Sequence, residues 1–75
     1  MTILDGSVGK GYTVAGIRLK PDTARRLQVL GLTQGTRVDI LNRKKRGAVI
    51  IKIRGTRFAV GRQIAGGILV KEEQA

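Results

Sequence analysis

Two different spacings of apolar residues run along this chain and divide it into elements. From Tyr12 to Arg18, Tyr12 and Val14 alternate with Thr13 and Ala15, the period of a half-buried strand. Between Pro21 and Leu30 the spacing lengthens. Ala24, Leu27 and Leu30 recur every third position, with Arg25, Arg26 and Gln28 left to solvent, which predicts one amphipathic helix. Both ends carry signals. Pro21 suits the first helical position, and Asp22 in the first turn faces the positive end of the helix dipole. Gly31 suits a left-handed residue after the last turn, with Leu32 folding back on Leu27 in a Schellman ending.

From Thr36 onward the period returns to two. Val38 and Ile40 alternate with Arg37, Asp39 and Leu41; Val49, Ile51 and Ile53 alternate with Ile50, Lys52 and Arg54; Phe58 and Val60 alternate with Arg57 and Ala59. Three antiparallel strands follow, joined first by the basic run Arg43-Lys44-Lys45-Arg46 ending in Gly47, then by a tight turn around Gly55. A short turn from Arg62 to Gly67 leads into a last strand, Ile68 to Val70. About five short strands, one helix inserted after the first and no long parallel crossover predict a mainly β domain, a small, partly open SH3-like barrel. The expected boundaries are a flexible glycine-rich N-terminus over residues 1–11, a single domain over 12–71 and a C-terminal tail over 72–75.

Length and charge sharpen this picture. A chain of 75 residues builds one modest core, and 15 Lys and Arg against 5 Asp and Glu leave a net charge of +10 around it. Most of that field comes from the second half, where nine basic residues from Arg37 to Arg62 face Asp39 alone. Anionic partners are expected. The absence of Cys, His and Trp removes disulfides, thiolate and imidazole metal ligands and the commonest general base. Asp5, Asp22, Asp39, Glu72 and Glu73 are too scattered to suggest an ion cage or an acid–base pair. The expectation is a non-enzymatic protein without a cofactor. The segment from Gly6 to Gly11 resembles a phosphate-binding loop only superficially, because Leu4 and Gly11 occupy positions where that motif needs glycine and a hydroxyl. No apolar run approaches membrane-spanning length and no secretory pattern opens the sequence, so a cytoplasmic location is expected.

Two groups of residues are candidates for partner binding. Arg43, Lys44, Lys45 and Arg46 at a hairpin tip suit phosphates or acidic protein surfaces, and Arg25 and Arg26 add charge on the helix. Leu27, Leu30 and Leu32 either fill the core or leave an apolar cleft beside the helix, which would also serve weak self-association. Tyr12 and Phe58 are the sole aromatic residues, a poor platform for stacking bases, although a charge of +10 alone gives non-specific nucleic-acid binding at low salt.

The order of these features resembles the FeoA family of bacterial ferrous iron transport. The resemblance runs from about Thr13 to Val70 and rests on three segments. The first is Arg25-Arg26-Leu27-Gln28-Val29-Leu30-Gly31-Leu32-Thr33-Gln34-Gly35, similar to the family's arginine-leucine helix and leucine-glycine-leucine ending. Val38-Asp39-Ile40 follows as the next strand, and Phe58 to Val70 is similar to the closing pattern of strand, arginine, alanine and isoleucine. Gln34 and the loop from Arg43 to Gly47 depart from a family pattern that frequently has proline there. The resemblance implies an SH3-like accessory protein at the inner membrane's cytoplasmic face, acting by contact with the FeoB transporter. Acidic parts of that transporter or anionic lipid headgroups would meet the basic loop, and the leucine cleft would add specificity.

Overall fold

The computed structural model describes residues 1–73, so the last two positions of the expected tail lie outside the described residues. Strand β1 spans Gly11–Ile17 and helix α1 Pro21–Val29; β2 (Arg37–Arg43), β3 (Val49–Ile53) and β4 (Thr56–Val60) follow as a meander. A single helical turn, α2 (Arg62–Ala65), then precedes β5 (Ile68–Glu72), where the sequence suggests only a turn. All pairings are antiparallel and the sheet order is β4-β3-β2-β1-β5. Bulges between Val14 and Gly16 in β1 and between Ile40 and Asn42 in β2 bend the sheet on itself.

The α1 ending is the predicted Schellman motif in full. Gly31, at φ +105°, donates its N–H to the Gln28 carbonyl at 3.0 Å, and the Leu32 N–H reaches the Leu27 carbonyl at 2.9 Å. Leu27 and Leu32 are buried together as a result. The alternation predicted for the strands also holds: Val14, Val38, Ile40, Val49, Ile51, Ile53, Val60, Ile68 and Val70 all face a core in which, among the described residues, no polar or charged residue is buried. Tyr12 enters that core with its hydroxyl accepting the Ser7 N–H at 2.7 Å, so its one polar atom is satisfied.

The boundary expected at residue 11 is corrected by the packing. Thr2 bridges to Leu69, the Val70 N–H donates to the Met1 carbonyl at 2.9 Å, and Ile3–Asp5 form a 3₁₀ turn that drives Ile3, wholly inaccessible, into the core. The first residues thus extend the sheet edge at β5 and close one end of the barrel. At the other terminus Glu72 belongs to β5 rather than to a tail, and Glu73 pairs with Arg37 at 3.0 Å.

Candidate functional site

The basic run lies where the alternation places it, at the β2–β3 tip. The Lys44 N–H donates to the Ala48 carbonyl at 2.8 Å and the Gly47 N–H to the Lys44 carbonyl at 3.0 Å, a compact loop that holds three side chains outward. Lys44, Lys45 and Arg46 are exposed and form no ion pair with a described residue. The stem of Arg62, from the start of α2, packs against Gly47 and brings a fourth cation to this end.

Arg43 plays a different part. Its Nη2 donates to the carbonyl of Ile3 at 3.3 Å and to that of Gly6, so the guanidinium ties the N-terminal turn to the end of β2. The grouping of Arg43 with the three loop cations is corrected accordingly: its guanidinium adds a second donor to the Ile3 carbonyl, which already accepts the Gly6 N–H, and supplies a donor to the Gly6 carbonyl. Asp5 stabilises the same turn by accepting the Thr2 N–H at 2.8 Å, and that bond, followed by one from the Thr2 hydroxyl, holds its carboxyl below the ordinary value of 3.8.

The leucine cleft is corrected too. Leu27 and Leu32 are buried by the Schellman turn that joins them and offer nothing to a partner. Leu30, at the cap position, is turned outward instead and is 48% exposed, next to Val29 at 82%. Arg25 and Arg26 are exposed on the same helix and form a shallow surface with Asp22 and Val29.

A third surface was not singled out by sequence. The outward positions of three neighbouring strands, Arg37 and Asp39 in β2, Lys52 in β3 and Arg57 in β4, come side by side through the pairings Asp39 with Lys52 and Lys52 with Arg57. Arg37 is held by Asp39 at 3.2 Å and by Glu73 at 3.0 Å, whereas Lys52 and Arg54 have no acidic partner among the described residues. Arg37, Asp39, Lys52 and Arg54, together with Thr33–Thr36, line an open groove of about 550 Å³, and Arg57 lies outside it. Arg54 and Gly55 form the β3–β4 turn with φ of +51° and +83°, the mirror-image hairpin turn that favours Asn, Asp or Gly at both places. An arginine there costs about 1–2 kcal/mol of backbone strain. The signal was present in the sequence, as cations in the outward phase of each strand, but only the register brings them together.

These surfaces lie at opposite ends of the barrel. The β3–β4 turn adjoins the end of α1, because the Arg54 stem lies beside Gly31. The cationic tip is a full β2 length away, and seven residues of strand span about 20 Å. Lys44, Lys45 and Arg46 therefore share one end, while Arg25, Arg26 and Leu30 belong with the helix, whose C-terminal end adjoins the β3–β4 turn through Gly31. Among the described residues no three His, Cys, Asp or Glu side chains gather, and no helix is long and apolar enough to cross a membrane.

Comparison with known proteins adds to this geometry. Residues 1–72 match the FeoA domain. No curated protein matches the chain by sequence. Among solved structures, the FeoA protein of Chlorobium tepidum is 26% identical, with a TM-score of 0.89 over 96% of this chain and 70% of that one. An iron uptake regulatory protein, also FeoA, is 27% identical with a TM-score of 0.85, covering 97% of this chain and 96% of its own. The zinc complex of Stenotrophomonas maltophilia FeoA is 25% identical, with a TM-score of 0.82 over 95% of this chain and 89% of that one. That protein is described as a prokaryotic SH3 domain protein with a suggested role in activating bacterial ferrous iron transport.

Proposed function

The chain belongs to the FeoA family, and from that premise we propose that it is a cytosolic accessory of ferrous iron uptake, working by contact with the membrane transporter FeoB rather than by catalysis. Family membership supports the iron-uptake role. The contact surface is argued from one observation, the cluster of Lys44, Lys45 and Arg46, exposed and without ion pairs among the described residues, on a tip that a tight loop keeps in place. Such a cluster attracts acidic protein surfaces or anionic headgroups, speeds encounter and makes association salt-dependent. Arg43 supports the tip from behind by fixing the strand end to the N-terminal turn.

The test is binding of the purified protein to membrane-reconstituted FeoB at near-physiological salt, with excess duplex DNA as competitor. Saturable binding that survives the DNA, and that weakens and loses its salt dependence in the Lys44→Gln/Lys45→Gln/Arg46→Gln variant, is the expected result. Binding that is absent, or that the DNA abolishes, would replace this reading with that of a basic nucleic-acid-binding module.

A further inference from the structure

We propose that the groove at the β3–β4 end of the barrel binds an extended acidic segment of a partner protein, anchored on Arg54 and Lys52, with an apolar side chain of that segment resting on Val29 and Leu30. Four observations carry this. Arg54 stands at φ +51° in a two-residue turn whose backbone favours Asn or Gly, so an arginine occupies this position against local preference. Its stem is laid along Gly31, its Cδ 3.8 Å from where a Cβ would stand, and the residue itself lines the groove. Neither Arg54 nor Lys52 has an acidic partner among the described residues, whereas Arg37 beside them is held by Asp39 and Glu73. The apolar residues exposed at the end of α1 adjoin this charge through Gly31, and a polypeptide bearing both carboxylates and an apolar side chain matches the pair of features.

The groove selects the class of occupant as well. It is open along its length and lined by no aromatic side chain, so it lacks the stacking surface a nucleobase would use. Arg54 has one structural explanation that competes with this one, a favourable position near the carbonyl end of α1. The two make opposite predictions. If Arg54 serves the fold, Arg54→Asn lowers the melting temperature; if it is kept for a ligand, the same change relieves strain and raises it.

The experiment combines thermal melting with amide chemical-shift mapping. The probe is a short synthetic peptide of Asp, Glu and Leu, with the corresponding Lys and Leu peptide and duplex DNA as controls. The expected result is saturable shifts confined to Leu30, Thr33–Thr36 and Lys52–Gly55 with the acidic peptide alone. Arg54→Asn should raise the melting temperature by about 4 °C and weaken the peptide about tenfold, the worth of one charged contact. Arg54→Lys, which keeps the charge, should retain more of the affinity than Arg54→Asn. Replacing Lys44, Lys45 and Arg46 by Gln should leave peptide binding unchanged, which separates this site from the transporter contact proposed at the other end. Shifts centred on the loop tip, equal groove shifts with DNA, or an Arg54→Asn protein that melts lower and binds the peptide as well as before would each overturn the proposal.

Discussion

Replacing Ile3 by Ala tests whether the first residues are part of the domain. Ile3 is wholly inaccessible and is carried into the core by a turn that Arg43 and Asp5 both brace. Trimming a buried Ile to Ala removes its transfer free energy and leaves a cavity, about 2–5 kcal/mol in closed cores. A segment at the sheet edge relaxes more than a central strand, so the lower part of that range applies, about 2–3 kcal/mol. A domain of this length has about 4–11 kcal/mol in all, so the substitution removes a large share. In urea, followed by circular dichroism, the midpoint should fall by about 2–3 M for a slope near 1 kcal/mol/M. Val8→Ala is the internal control, because Val8 lies in the same stretch but is 50% exposed, and it should stay within about 0.5 kcal/mol of the parent. A midpoint for Ile3→Ala indistinguishable from that of Val8→Ala would refute the packing argument.

Other expectations follow from the same contacts. Arg43→Ala should cost about 1–2 kcal/mol by removing the side-chain donor to the Gly6 carbonyl and the second donor to the Ile3 carbonyl, and combining it with Ile3→Ala should cost less than the sum, as equilibrium unfolding of the double mutant would show. Gly31→Ala should lose about 1–2 kcal/mol through backbone conformation alone, since a Cβ there finds only ordinary contacts and the φ of +105° is what excludes it; a Tm unchanged from the parent would contradict this. The lowered pKa of Asp5 means that its carboxylate favours the folded state. That contribution is fully present above the ordinary value of 3.8 and fades as pH falls through the lower folded value. Asp5→Asn should therefore be less stable than the parent at neutral pH and converge with it in acid, measured by urea midpoints across that range.

Local pattern carried most of the fold. The i, i+3 spacing of Ala24, Leu27 and Leu30 and the glycine after it determine where α1 ends, and the ending was legible because its hydrogen bonds lie within six consecutive residues, Leu27 to Leu32. Strand phase was legible for the same reason, since alternation is a nearest-neighbour property. What escaped depends on pairing between distant residues. Ile3 and Leu4 sit in a glycine-rich stretch with no period, so nothing local distinguishes a packed turn from a loose end. Arg43 reads as one more loop charge because its partners lie 40 and 37 positions away. The groove needs the registers of β2, β3 and β4 at once, and Leu30 differs from Leu27 only through a turn geometry that sends neighbouring leucines to opposite sides. Candidate residues were therefore named more readily than their grouping: Lys44, Lys45 and Arg46 stay together, Arg43 remains exposed but is tied to the N-terminal turn, and Leu27 and Leu32 leave the surface.

The single tyrosine gives this molecule an internal optical reporter. With no tryptophan in the chain, emission excited in the tyrosine band comes from Tyr12 alone, a residue 1% exposed whose hydroxyl receives the Ser7 N–H. The ring also lies beside Gly6, the residue whose carbonyl Arg43 holds. Detachment of the first turn would wet and release that phenol, altering its emission and its quenching by iodide. A label-free titration can therefore show whether occupying the cationic tip tightens or loosens the opposite side of the Arg43 tether, using a chromophore already in place.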